Sequence, residues 1–249
     1  MPIVLKSEQE LTTMRKAGRI NAEVLQILAE SVQPGMRELE LDEIVRREFK
    51  RRGVKPAFLN YHGYPATVCV SINDEIVHGI PGERVIKEGD IVSIDLGCIY
   101  DGFVGDAAVT VGVGKISPEA QRLIEVTREA LWRGIAQARV GNRVGHIGAA
   151  IEEYVKSQGL SVVREYVGHG IGRQMHEDPQ IPNYGPPEKG PLLRKGMVIA
   201  IEPMVNLGDW RTRRDSDQWT VRTIDGSLSA HFEHTLAITD SEPEVLTLA

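Results

Sequence analysis

The sequence predicts an α+β fold made of two pseudo-twofold-related halves, with a central antiparallel-type sheet and helices outside it. Three observations predict it. Residues 88–95 and 195–202 are Gly-led apolar strands, 107 positions apart, that close on Asp95 and Glu202. Farther along, a carboxylate opens a strand in each half, Asp106 before Ala107 and Glu233 before His234. Upstream, 35–53 and 141–159 align at an offset of 106, each reading as a helix stopped by a Gly at its C-terminus. An internal duplication uses one supersecondary unit twice. Four acids then sit at strand ends, two per half, and collect near the axis relating the halves.

In chain order, Ser7-Glu8-Gln9-Glu10 is a capping box, and Leu11, Met14, Ile20, Val24, Leu25 and Leu28 continue at helical spacing to about Glu30. The first 35–53 unit supplies the second helix. Val- and Ile-rich stretches predict strands near 67–72, 91–96 and 107–113. Ser117-Pro118-Glu119 places an N-cap, a Pro at N1 and an acid in the first turn of a helix whose buried stripe is Leu123, Ile124, Ala130, Leu131 and Ile135. After the second Gly-bounded helix come strands near 160–166, 198–205, 219–223 and 234–239. The stretch 178–191 holds five prolines and reads as an ordered extended loop. The chain is expected to be one catalytic domain over 1–249, with pseudo-repeat halves at about 7–113 and 117–240.

An apolar content of 41% and a charged content of 26% describe an ordinary globule, not a disordered or fibrous chain. The apolar runs are far shorter than the roughly 20 residues that span a bilayer, and no signal-peptide pattern precedes them, so a cytoplasmic protein without a membrane partner is expected. A net charge of −6 argues against a dedicated nucleic-acid binder. The basic run Arg211-Thr212-Arg213-Arg214 beside Trp210 reads as a solvated loop, with a weak contact to an RNA-rich partner as its sharper alternative. Cys69 and Cys98 form no CxxC pair, so thiolate metal sites and disulfide frameworks lose their usual support.

Four ionised carboxylates in one partly buried pocket repel, and protonation or a bound cation relieves them. With His169, in Gly168-His169-Gly170, the acids Asp95, Asp106, Glu202 and Glu233 make an oxygen-rich set with one imidazole. That set suits a pair of Mn, Fe, Co or Zn ions, which would use all five residues and activate water near neutral pH. Glycines beside His169 would let its backbone come close to a metal. His62, His146 and His234 keep the plain reading of hydrogen-bonded or surface histidines, with His62 the candidate exception beside Tyr61 and Tyr64.

Asp95, Asp106, His169, Glu202 and Glu233 stand at spacings of 11, 63, 33 and 31. With Tyr61-His62-Gly63-Tyr64-Pro65, His78-Gly79-Ile80-Pro81, Ile201-Glu202-Pro203 and Ser229-Ala230-His231-Phe232-Glu233-His234-Thr235, nearly the whole chain resembles the type I methionine aminopeptidases. The resemblance implies the pita-bread (creatinase/aminopeptidase) fold and removal of the initiator methionine from nascent polypeptides with a small second residue. Asp106 and Glu233 would bridge two ions, Asp95 would hold one, and His169 and Glu202 the other. Glu202 would also be the general base. His176 would stabilise the tetrahedral intermediate and His78 would bind near the scissile amide.

The resemblance points to Phe58, Tyr61, Tyr64, Cys69, Met175, Met204, Trp219, His231 and Phe232 for a methionine slot, although core filling competes for the two methionines. Phe58 stands where Cys is frequent in that family, Met175 where an aromatic is usual, and His231 where Gln is common. Asn73 and Ser229 match positions around a monovalent cation, Na or K. A monomer with a transient ribosome contact is expected, and the chain's own Met1-Pro2 would be a substrate, leaving Pro2 first. Two other readings share the ligands. X-Pro peptidases typically add an N-terminal domain, and a binding-only relative would have lost the chemistry. Only 31 residues separate Glu202 from Glu233, too few for the insertion of type II enzymes.

Overall fold

The computed structural model describes residues 2–249, and the expected removal of Met1 lies outside them. Helix α1 (Glu8–Ser31) starts where the capping box is completed: the Ser7 hydroxyl accepts from the Glu10 N–H at 3.3 Å and the Glu10 carboxylate accepts from the Ser7 N–H at 3.0 Å. Helix α2 (Glu38–Arg52) stops at Gly53, whose φ of 67° is the left-handed conformation that glycine takes without strain. In the second half, Ser117 caps α3 (Pro118–Ala136) by accepting from the Ala120 N–H, and α4 (Val144–Ser157) follows. The duplication persists in detail. Arg37 and Arg143, which precede α2 and α4, form matching isolated bridges to Val85 and Leu192.

Among the described residues, nine strands form one antiparallel sheet that crosses both halves. Its centre joins the long hairpin Ile91–Tyr100 and Phe103–Gly112 to the pair Glu233–Ala237 and Val198–Ile201, with Gly168–Gly170 and Glu177–Ile181 beyond. Successive side chains of a strand point to opposite faces, and here the alternation divides chemistry from packing. Val92, Ile94, Leu96 and Cys98 pack in one core with Leu28, Leu41 and Phe49 of α1 and α2. Ile199, Ile201 and Leu236 pack in another with Leu123, Leu131, Ile147 and Ile151 of α3 and α4. The intervening positions face the other way. Asp95 and Glu233 each pair with Ala108 across neighbouring strands, Asp106 pairs with Gly97, and His169 pairs with Ala200, two residues before Glu202. All five expected ligands therefore fall on the sheet face turned away from the helix-packed cores.

Several expected boundaries are corrected. Asp95 and Asp106 lie inside strands of ten residues rather than at strand ends, while Glu233 does open its strand and Glu202 follows Ile201 directly. The 198–205 strand breaks at Glu202-Pro203 into Val198–Ile201 and Met204–Asn206, because Pro203 lacks the N–H a ladder requires. The 160–166 strand shrinks to Ser161–Val162, and Arg164 instead lies over the rings of Tyr184 and Trp210. The start of the expected Pro-rich loop belongs to a strand, Glu177–Ile181. It tolerates Pro179 because it forms the sheet's edge.

Candidate metal centre and substrate cavity

Asp106, His169 and Glu233 each bring one ligand atom within 4.8 Å of the others, in a group that could hold a metal ion. Glu202 joins them, its Oε1 lying 3.7 Å from His169 Nε2, which is also 3.7 Å from Asp106 Oδ2. The Nδ1 of His169 is 2.9 Å from the Gly170 carbonyl. A carbonyl only accepts, so Nδ1 carries the proton and the Nε2 lone pair faces two carboxylates. Burial pushes the imidazole down to about 3, which leaves no charge of its own to balance them. Among the described residues, the buried oxygens Asp95 Oδ1, Asp106 Oδ1 and Glu233 Oε1 have no hydrogen-bond partner.

Burial is the first cause of each carboxyl shift. It moves Glu202 up to about 8 and, with the Glu202 charge adding, Asp95 up to about 7. Asp106 and Glu233 rise well above the usual carboxylate range, again through burial and then through the neighbouring acids. This is the behaviour of an anionic site that lacks its counter-charge.

The glycines beside His169 have a different cause from the one expected. A Cβ at Gly168 would lie 2.3 Å from the Ala200 carbonyl oxygen, and one at Gly170 would lie 2.3 Å from that of Asp178. They admit neighbouring strands to His169 and so fix its position. Gly97, opposite Asp106, does the same for Phe58, whose Cε1 sits where a Cβ would be only 2.7 Å away.

A cavity of about 210 Å³ opens over the acids. Phe58, Tyr61, Tyr64, Cys69, Met175 and Trp219 line it together with Asp95, Asp106, His169, Glu202 and Glu233. Tyr64 is buried, its hydroxyl within reach of the Gly79 and Val68 carbonyls at 2.8 and 3.0 Å, and its ring meets Trp219 edge-on at 5.1 Å. His78 and His176 both reach the cavity. His78 is held in a left-handed turn, φ 61°, followed by Gly79, where a Cβ would collide with the Val70 carbonyl oxygen at 2.0 Å. Burial lowers both histidines, His78 to about 4. The Tyr61 hydroxyl lies 2.7 Å from His176 Nδ1, and the His176 ring meets that of His169 at 4.3 Å.

Three expected slot residues lie elsewhere. Phe232 packs into the α3–α4 core, Met204 packs with Ile76, Val163 and Val221, and His231 is buried with its Nε2 at 3.6 Å from Glu202 Oε2, off the cavity wall. His62 does line the cavity, while His234 turns away to Thr247 and Trp132. Asn73 and Ser229 are neighbours through a 2.9 Å bond from the Ser229 N–H to the Asn73 carbonyl. The Asn73 side chain is engaged by Asp90 and the Ile91 N–H, and the Ser229 hydroxyl by the Val205 carbonyl. The Arg211–Arg214 run is ion-paired, Arg211 with Asp209 and Arg213 with Asp215. Sequence reasoning missed Asn183, fully buried, whose amide donates to the Glu202 carbonyl at 3.1 Å. It also missed Lys6, buried against Glu177 at 2.5 Å beside His176.

A two-half sheet presenting acids and one imidazole under a cavity is the layout of a metal-dependent peptidase. The family model of metallopeptidase family M24 matches residues 12–240, and the chain belongs to that family. Within it, the chain is 51% identical over 246 residues to a methionine aminopeptidase of Clostridium perfringens, with 99% of each covered. It is also 51% identical over 245 residues to methionine aminopeptidase 1 of Bacillus subtilis, covering 98% of this chain and 99% of that protein. The crystal structure of a methionine aminopeptidase from Thermotoga maritima matches with a TM-score of 0.98 at 48% identity, covering 100% of both chains. The pita-bread fold expected from the sequence is the fold of these relatives. No helix among the described residues is long and apolar enough to cross a membrane.

Proposed function

We propose that the chain is a methionyl aminopeptidase that removes the initiator methionine from nascent chains whose second residue is small. One observation carries the reading. Beneath an apolar-walled cavity, a neutral imidazole lone pair lies among carboxylates, three of whose oxygens have no hydrogen-bond partner among the described residues. The donor set is hard oxygen with one nitrogen, which fits Mn, Fe, Co or Zn. Asp106 and Glu233 would be shared between two ions, with Asp95 completing one and His169 and Glu202 the other. Such ions, when bound, supply Lewis-acid activation of a water and of the scissile carbonyl.

The chain's own groups do the rest. Glu202 takes the proton of the attacking water and returns it to the leaving amine. With the Tyr61 hydroxyl donating to Nδ1, His176 keeps its proton on Nε2 and offers it to the developing oxyanion. His78, fixed by the turn at Gly79, binds near the scissile amide. Phe58, Tyr64, Cys69, Met175 and Trp219 take the methionine side chain away from water.

The test uses metal-stripped protein reloaded with Mn or Co on matched Met-Gly and Met-Lys peptides, with Glu202→Gln as control. Methionine released from the Met-Gly peptide alone, and lost in the variant, is the expected result. Release from both peptides equally would remove the small-second-residue rule. Release from neither, with metal bound and the fold intact, would turn attention to X-Pro peptides.

A further inference from the structure

His231 is 1% exposed and is not among the residues that line the cavity. Its backbone is clamped by a strand of the other half of the chain. The Thr110 hydroxyl accepts from the His231 N–H at 2.9 Å and donates to the His231 carbonyl at 2.8 Å, while the Ser93 hydroxyl lies 2.8 Å from the Thr110 hydroxyl. In its strand pair His231 stands opposite Met204. Its Nε2 lies 3.6 Å from Glu202 Oε2, while the other Glu202 oxygen, Oε1, faces His169 at 3.7 Å.

That nitrogen is buried and, among the described residues, has no hydrogen-bond partner. A buried polar atom left unpaired costs about 1–3 kcal/mol, and such exceptions in a packed interior mark a function or a missing partner. The acceptor it faces is Glu202, and a movement of about half an ångström brings the two within the usual 2.7–3.2 Å range for N–H···O. The ring nitrogen thus stands behind a carboxylate whose other oxygen faces His169.

We propose that His231 is the positioning residue of Glu202: its Nε2–H donates to Oε2, stops the carboxylate from rotating, and leaves Oε1 to meet the attacking water. The proposal rests on Glu202 being the general base. It differs from a ligand role, in which the Nε2 lone pair would bind an ion, and from plain packing, in which any side chain of similar volume would serve.

Two variants separate these. His231→Gln keeps an N–H donor, and His231→Leu fills the space without one. Both are measured as full-length protein reloaded with Co, by kcat and KM on a Met-Gly peptide, by the pH profile of kcat, and by the stoichiometry of the bound Co. The expected result is that Leu lowers kcat roughly 10–100-fold, shifts the pH profile and leaves KM and Co stoichiometry unchanged, while Gln recovers most of the rate. A Leu variant as fast as wild type would overturn the proposal. So would loss of bound Co from the Leu variant, which would make His231 a ligand, or a folded Gln variant as slow as Leu. Wild-type protein that releases no methionine would sink the peptidase reading itself, whereas active wild type with an equally active Leu variant sinks only the positioning role.

Discussion

Loading metal into the stripped protein should expel protons, and the structure says roughly how many. Without a cation, burial holds Glu202 at about 8 and Asp95 at about 7. At pH 7 the first is then about nine-tenths protonated and the second about half, and Asp106 and Glu233, both raised well above the usual range, add to that number. The four carboxyls titrate as a unit, but ligands must be deprotonated to bind, so the total released at pH 7 is on the order of two protons. Isothermal titration with Mn in buffers of different ionisation enthalpy reads that number directly. The same shifts fix a sign for stability. Groups whose folded pKa is raised favour the metal-free fold at low pH, and that contribution is lost as pH rises through their folded values. Stripped protein should therefore melt lower at pH 9 than at pH 6, and loaded protein should not share that fall. Binding heats independent of buffer, or a stripped protein more stable at pH 9, would refute the reasoning.

Three further outcomes follow from particular contacts. Tyr61→Phe removes the partner of His176 Nδ1 and should lower kcat roughly tenfold, the value of one hydrogen bond of about 1.4 kcal/mol, with metal content unchanged; unaltered kcat would show that the contact does not set the tautomer. Gly79→Ala drives a Cβ into the Val70 carbonyl and should cost roughly 3 kcal/mol in denaturant unfolding while disturbing His78, so a wild-type midpoint would contradict the packing account. Burial pushes Glu38 up to about 7 despite the Gly82 N–H that it accepts, so its stabilising share is present below about 4.5 and fades as pH rises through 7. Glu38→Gln should therefore raise the melting temperature at pH 8 and not at pH 4.5, and an equal change at both would exclude this cause.

What the sequence revealed was whatever local pattern and duplication encode. The caps at Ser7 and Ser117, the stop at Gly53 and the repeated Gly-led strands are short-range signals, and the fold contains them where expected. Strand ends were less legible. Asp95 reads as a terminus because a charged residue ordinarily leaves a buried strand, yet Gly97, Cys98 and Ile99 carry the ladder on beyond it. A carboxylate inside a strand is tolerable only where the opposite half of the sheet brings its neighbours, and no local pattern reports that. Side-chain direction was hidden for the same reason. His231 and Phe232 look alike as slot candidates, and only the registers across the halves place one behind Glu202 and the other in the α3–α4 core. Lys6 and Glu177 are 171 positions apart, so nothing in the sequence pairs them.

The central claim is that four acids and one imidazole, gathered from both halves onto one face of the sheet, hold two metal ions at the base of the cavity. Anomalous diffraction from crystals of the protein loaded with Mn tests it most directly. The account predicts two peaks, both within ligand distance of Asp106 and Glu233, with Asp95 reaching one and His169 and Glu202 the other. A single peak, or peaks that leave Asp106 and Glu233 unshared, would contradict it.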